Sequence, residues 1–149
     1  MDDTHDRFEA YLHEQIPLTA AMGLRIVHLD RDSVALEAPL APNRNHKGGA
    51  FGGSIATLAL TAAWIMVHRR VRGRSPEPTV VVMEQAVDYL HAVGEDFQAK
   101  CFAPPEKAWN RFERSLERRG KGRIELEATV EAHGGVAAHF RGIFAAVGG

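Results

Sequence analysis

The sequence predicts an α+β fold in which one apolar helix is enclosed by a curved antiparallel sheet. Three observations carry this. The fourteen residues from Ser54 to Val67 contain no charged side chain. Six extended segments lie on both sides of that run. Amphipathic helical spacing is confined to the periphery of the chain.

Taken in order, Thr4 to Gln15 spaces Phe8, Tyr11 and Leu12 three and four apart, which predicts a short amphipathic helix with Thr4 as N-cap and Pro17 as its break. Leu24–Asp30 and Ser33–Leu40 read as strands joined by a turn at Asp30-Arg31-Asp32. Val34, Leu36, Ala38 and Leu40 share one face of the second, opposite Ser33 and Glu37. Residues 41–53 are a loop by their Pro, Asn and Gly content. It feeds the apolar helix, which closes in the basic run His68–Arg74 ahead of Pro76 and Pro78. A helix apolar on every side must be surrounded, because each large side chain left in water forgoes about 1.5 to 3 kcal/mol of burial. The surroundings are Thr79–Leu90, Asp96–Phe102, Gly122–Ala132 and Val136–Val147, all strand-like. Pro104–Arg119 has helical spacing through Trp109, Phe112 and Leu116 and stops at Gly120. One enclosed helix wrapped by long antiparallel strands is the hotdog architecture; a ferredoxin-like split sheet would require two comparable helices on one face. Thr79–Met83 is apolar on both alternating faces, which predicts a covered strand and a homodimer with this strand near the interface.

The chain has 149 residues, enough for a single domain, residues 1–149, with a real core. Its 45% hydrophobic and 25% charged residues exclude disorder and coiled coil as descriptions of the whole. A net charge of -1 supplies no field to recruit nucleic acid or anionic membrane. The apolar run is too short to span a bilayer. The single cysteine, Cys101, cannot pair internally, and the opening residues are acidic where a signal peptide would be basic. A soluble cytoplasmic protein is expected.

The loop ahead of the apolar helix is the most informative segment. Gly48, Gly49, Gly52 and Gly53 leave backbone N–H groups bare where a helix dipole begins, a place to hold an oxyanion. A sharp turn into a helix accounts for the same glycines. Neither a Walker A nor a Gly-x-Gly-x-x-Gly pattern is present. Asn45 could donate a second hydrogen bond to that oxygen, although loop asparagines are commonly turn formers. His46 follows it and is a candidate ligand contact, or a solvated loop residue. Ser54 lacks the closing glycine of a nucleophile elbow and suits helix capping. The eight histidines show no helical His-x-x-x-His pair, so no metal site is expected. Arg69, Arg70, Arg72 and Arg74 complement the C-terminal end of the helix dipole, or else dock an acidic or phosphate-bearing carrier.

At Asn43-x-Asn45-His46-Lys47-Gly48-x-Ala50-Phe51-Gly52-Gly53-Ser54 the chain resembles the hotdog family of YiiD C-terminal-type thioesterases, found fused to acetyltransferases and alone. The likeness runs from about Ile16 to the C-terminus and includes Met22-Gly23, Ala38-Pro39-Leu40 and Asp88-Tyr89-Leu90. Members are malonyl-acyl-carrier-protein decarboxylases that help start fatty-acid synthesis. The resemblance implies a substrate carried on the phosphopantetheine of acyl carrier protein or CoA, and no other cofactor. The oxyanion would be held by Asn45 and the backbone at Gly53 and Ser54. His46, Phe51, Gly52 and Asp88 would line the substrate site, and the four arginines would seat the carrier. Dimers could pair further into tetramers.

More distantly, the loop is similar to that of phenylacetyl-CoA-type hotdog thioesterases, which place a carboxylate seven residues after the second glycine of the pair. Here that position is Leu60, and no acid or histidine lies between Gly53 and Val67. Thioester hydrolysis gains about 10²- to 10⁴-fold from a positioned base. Decarboxylation of a malonyl thioester needs no attacking water, only a home for negative charge on the carbonyl oxygen. The alternatives are a thioesterase using a base from elsewhere, Glu84 or Asp88, and a non-catalytic acyl-thioester binder.

Overall fold

A computed structural model describes residues 3–148. Helix α1, Asp3–Gln15, and the short α2, Pro17–Ala21, precede strands β1, Arg25–Leu29, and β2, Ser33–Ala38. A single 3-10 turn, Ala41–Asn43, leads to the central helix α3, Gly52–Val71. Strands β3, Thr79–Tyr89, and β4, Phe97–Phe102, helix α4, Glu106–Arg119, and strands β5, Lys121–Ala132, and β6, Gly135–Val147, complete the chain.

The six strands form one sheet in the order β1-β2-β4-β5-β6-β3, and every neighbouring pair is antiparallel. β5 and β6 form a long hairpin, from Lys121 opposite Val147 to Ala132 opposite Gly135. His133 and Gly134, at φ 56° and 75°, make its two-residue turn. Irregularities in register between Ile26 and His28, Val82 and Glu84, and Val130 and Glu131 bend the strands. The sheet thereby curves around α3, which packs on β2, β3, β4, β5 and β6. Small residues let it sit close: Ala59, Ala62 and Ala63 are fully buried beside Leu58, Ile65 and Val67. Across from them Phe97, Leu126, Phe140 and Phe144 fill the inner face. Trp64 donates its indole N–H to the Val80 carbonyl at 2.9 Å, tying the helix to β3. This is the hotdog arrangement the sequence predicts.

Four details differ from expectation. Pro17 ends α1 and also starts α2, because proline tolerates the first helical position, where no N–H partner is required. α3 begins two residues before Ser54, with Phe51 at the N-cap and no side-chain cap, so Ser54 does not cap it. α1 already includes Thr4, since Asp3 is helical. β3 is a sheet edge, and in a single chain Val80 is buried while Val81, Val82 and Met83 remain 40 to 49% exposed. The double covering expected of this strand is therefore not supplied by its own chain.

α4 lies across β5 and is held by charge as well as by Trp109, Phe112 and Leu116. Arg70 Nε meets Glu113 at 2.6 Å, its terminal nitrogen meets Glu106 at 2.9 Å, and its guanidinium lies 4.8 Å from the Trp109 ring centre. Arg74 reaches Glu113 at 3.2 Å and Glu117 at 3.8 Å.

Candidate active site

The loop between the 3-10 turn and α3 is built on Asn43, which is buried and donates from Nδ2 to the Met22 carbonyl at 2.9 Å and the Pro39 carbonyl at 2.7 Å. Its own carbonyl accepts the Phe51 N–H at 2.7 Å, and the Ala50 N–H donates to the Val93 carbonyl at 2.8 Å. Both ends of the loop are thus fixed to the body. Between them Asn45 closes a turn through its N–H to the Gly49 carbonyl, 2.6 Å, while Gly48 takes the left-handed conformation at φ 88°.

Asn45 is half-buried, and its Oδ1 accepts from the N–H groups of Lys47 at 2.8 Å and Gly49 at 3.1 Å. Two backbone donors on the oxygen fix which end of the amide faces them. The asparagine is therefore a turn former and more than that. Its acceptor is consumed by the loop, and its Nδ2 remains a donor with no acceptor among the described residues.

The start of α3 offers the second set of donors. The Phe51 carbonyl takes the N–H groups of Ser54 at 3.0 Å and Ile55 at 3.1 Å. Those of Gly52 and Gly53 have no acceptor among the described residues, and no acid in the first turn offsets the positive end of the dipole. Of the two amides expected to share charge, Gly53 is the available one, because the Ser54 amide is already bonded. Glycine at 53 also answers a packing demand: a Cβ there would sit 2.4 Å from Cε2 of the Phe51 ring.

Phe51 is 57% exposed and lies beside Gly53; Gly52 is half-buried, and His46 is exposed in the loop. Tyr89, at the end of β3, packs its ring on Gly52 and donates its hydroxyl to the Gly52 carbonyl at 2.8 Å. Asp88 behaves differently. It pairs with His139 and Glu84 pairs with Ile143, whereas Val87 pairs with the buried Phe140. Opposed residues share a sheet face, so Asp88 and Glu84 stand on the outer face, away from α3 of their own chain. Leu60, at the position where distant relatives place a carboxylate, is half-buried on α3.

Outside this region, Cys101 is fully buried and desolvation pushes its thiol pKa up to about 12, which leaves it a small apolar filler. His133 serves structure: its Nδ1 lies 2.9 Å from Glu95 and its Nε2 takes the Gly94 N–H at 3.0 Å. The four arginines divide. Arg70 and Arg74 are engaged with α4, whereas Arg69 and Arg72 turn towards α1 and have no carboxylate within ion-pair distance among the described residues.

With the geometry in place, comparison with known proteins is decisive. The family model described as "Putative thioesterase (yiiD_Cterm)" matches residues 5–148. The chain belongs to this thioesterase family. Its structure is similar to a protein of unknown function from Chlorobaculum tepidum, with TM-score 0.88, 32% identity and coverage of 98% of this chain and 95% of that one. It is also similar to the "putative thioesterase from Shewanella oneidensis", with TM-score 0.81, 25% identity and 99% of each chain covered. A thioesterase from Haemophilus influenzae, 13% identical with TM-score 0.77 over 99% and 93% of the two chains, shares the fold. A search of the curated proteins found no match. No helix among the described residues is long and apolar enough to cross a membrane.

For this thioesterase-family chain, sequence reasoning found the loop and the helix start but missed Asn43, Tyr89 and Val93 as the groups that position them. Asn43 and Tyr89 both fall inside the segments that carry the family resemblance. The Val93 contact is made by a backbone carbonyl, which leaves no trace in side-chain chemistry.

Proposed function

We propose that this protein acts on acyl thioesters by holding the thioester oxygen between Asn45 Nδ2 and the Gly53 N–H, and that its reaction is decarboxylation of a malonyl group on acyl carrier protein. The observation that carries this is that two donors are left unengaged, Asn45 Nδ2 in the loop ahead of α3 and the Gly53 N–H in its first turn, while the helix has no acid or histidine from Gly53 to Val67. Donors fixed in advance stabilise an oxyanion without reorganising when charge develops. In the step proposed, the C–C bond to the carboxylate breaks, carbon dioxide leaves, and the electron pair moves into the enolate whose oxygen the donors hold. A proton from solvent on the α-carbon then gives the acetyl thioester.

Two further parts belong to the same proposal. The helix start is open in a single chain, with Tyr89 52% exposed next to the unpaired edge of β3. A second copy pairing along β3 would cover Val81, Val82 and Met83 and exclude water from the site. The acidic carrier would dock on the arginine-rich side of the molecule.

Hydrolysis is the second reading, favoured by the family description and by the thioesterases among the similar structures. It requires a base that α3 lacks between Gly53 and Val67 and that Asp88 and Glu84 do not bring to α3 of their own chain.

Mass spectrometry of products from malonyl, acetyl and longer acyl thioesters, on carrier protein and on CoA, tests the proposal. Acetyl carrier protein formed from malonyl carrier protein is the expected outcome. Free carrier thiol without acetyl carrier would replace decarboxylation by hydrolysis, and tight retention of an acyl ligand without turnover would replace both by simple binding. Sedimentation of the protein and of Val82→Glu tests the β3 pairing: a dimer that the variant dissociates is expected.

A further inference from the structure

The other end of α3 carries an open cavity of about 480 Å³ lined by α1, the last turns of α3, Leu29 of β1 and Glu77. Its polar wall holds Arg7, Arg69 and Arg72 against one carboxylate, Glu77, and its apolar wall is Phe8 and Tyr11. Counting along the helix from Gly53 to Arg69, at 1.5 Å per residue, puts it about 24 Å from the acyl-thioester donors.

Three features of this cavity are unexplained by folding alone. The Nε of Arg69 is buried with no hydrogen-bond partner, a costly state for a charged group. His68 is only 8% exposed, and its contacts among the described residues are ring stacking, on Trp64 at 4.6 Å and Tyr11 at 6.0 Å, without a hydrogen bond. Arg72 lies over the Phe8 ring at 5.7 Å, and among the described residues it makes no ion pair, although Glu77 lines the same cavity. Complementing the helix dipole accounts for the place of Arg69 in the last turn of α3 but not for its buried, unpartnered Nε. A guanidinium held partly out of water, with a second beside it, is instead the usual arrangement for gripping an oxyanion.

We propose that this cavity is a binding site for a small organic oxyanion, with its charged head on Arg69, Arg72 and Arg7 and an aromatic body against Phe8 and the open side of Tyr11. The aromatic stack from Trp64 through His68 to Tyr11 gives that body a rigid platform. The site lies apart from the acyl-thioester donors and does not depend on the reaction proposed there, although Arg69 and Arg72 belong to the same basic side on which the carrier would dock.

Calorimetric titration of the full chain with phenyl phosphate, benzoate and inorganic phosphate tests this. Phenyl phosphate, benzoate or both should bind saturably, one per chain, and more tightly than inorganic phosphate; whichever of the two binds better identifies the head group as phosphate or carboxylate. Arg72→Gln and Arg7→Gln, both at exposed positions, should each weaken the better ligand about tenfold while leaving the fold intact by circular dichroism. Absence of saturable binding by all three probes would overturn the site. So would affinities unmoved by both variants. Inorganic phosphate binding as tightly as phenyl phosphate would overturn the aromatic half of the proposal.

Discussion

Tyr89 and Gly52 are joined across the molecule: the phenol hydroxyl donates to the glycine carbonyl at 2.8 Å, and the ring lies 3.5 Å from where a Cβ would stand. An edge strand thereby supports the first turn of the central helix, next to the N–H groups of Gly52 and Gly53. Tyr89→Phe keeps the ring and removes the bond. It should cost about 0.5 to 1.5 kcal/mol or less in stability, since water can reach this carbonyl, and lower turnover about 2- to 10-fold. Equal rates for the two proteins would show that the tyrosine only packs.

Asn45 does two jobs that substitution can separate. Asn45→Asp keeps the oxygen that accepts from Lys47 and Gly49 and removes the donor, so the melting temperature should hold while kcat falls about 10²- to 10³-fold. Asn45→Ala should lose the activity and, in addition, about 1 kcal/mol of stability from the turn. A fully active Asn45→Asp protein would remove this residue from the oxyanion site.

Gly122, on β5, lies beneath the C-terminal half of α4. A Cβ there would come within 2.6 Å of the Phe112 carbonyl oxygen, and backbone cannot swing aside as a side chain can. Gly122→Ala should cost about 1 to 3 kcal/mol, read as a lower urea midpoint. An unchanged midpoint would mean that α4 does not seat on β5 as described.

His68 gives the stability a dependence on pH. Burial holds its ring pKa below the ordinary 6.5, with Arg72 adding to the effect and Glu77 partly opposing it. Below about pH 6.5 the unfolded chain therefore binds a proton that the folded chain refuses, and stability falls as the solution is acidified, until the folded ring is protonated too. His68→Phe keeps an aromatic ring on Trp64 without the titration. Its urea midpoint should drop less between pH 7.5 and 5.5 than that of the unmodified protein, and parallel losses would assign the acid sensitivity elsewhere.

Much of the fold was legible because the governing forces are local or periodic. Ile124, Leu126, Ala128 and Val130 alternate with charged or polar residues, and all four are buried on β5. The uncharged run 54–67 could only be an enclosed helix, and it is. Its start was misjudged because glycine has poor helix propensity, yet Gly52 and Gly53 are helical, with the Phe51 ring against position 53 and the Tyr89 ring against position 52. Asp88 was expected to line the site through the family resemblance and as part of the strand beside the helix, and its pairing with His139 puts it on the face turned from α3 of its own chain, opposite to its neighbour Tyr89. Adjacent strand residues point to opposite faces, so neighbourhood in sequence is the wrong measure there. The division of the arginines was hidden for a related reason: which of them meet Glu106, Glu113 and Glu117 depends on how α4 crosses α3, a long-range matter.

The hairpin of β5 and β6 pairs residues that are close along the chain around a turn of two residues. β1 and β2 also pair around a short turn, in a smaller hairpin, whereas β4 and above all β3 must wait for distant partners, β3 reaching β6 only after α4 and the whole hairpin have been made. Loop-closure entropy therefore makes the β5–β6 hairpin the cheapest part of the sheet to assemble and a natural starting point for folding. Its central amides are expected to be the last to exchange with deuterium, while those along β3, the strand that props the start of the central helix, open first.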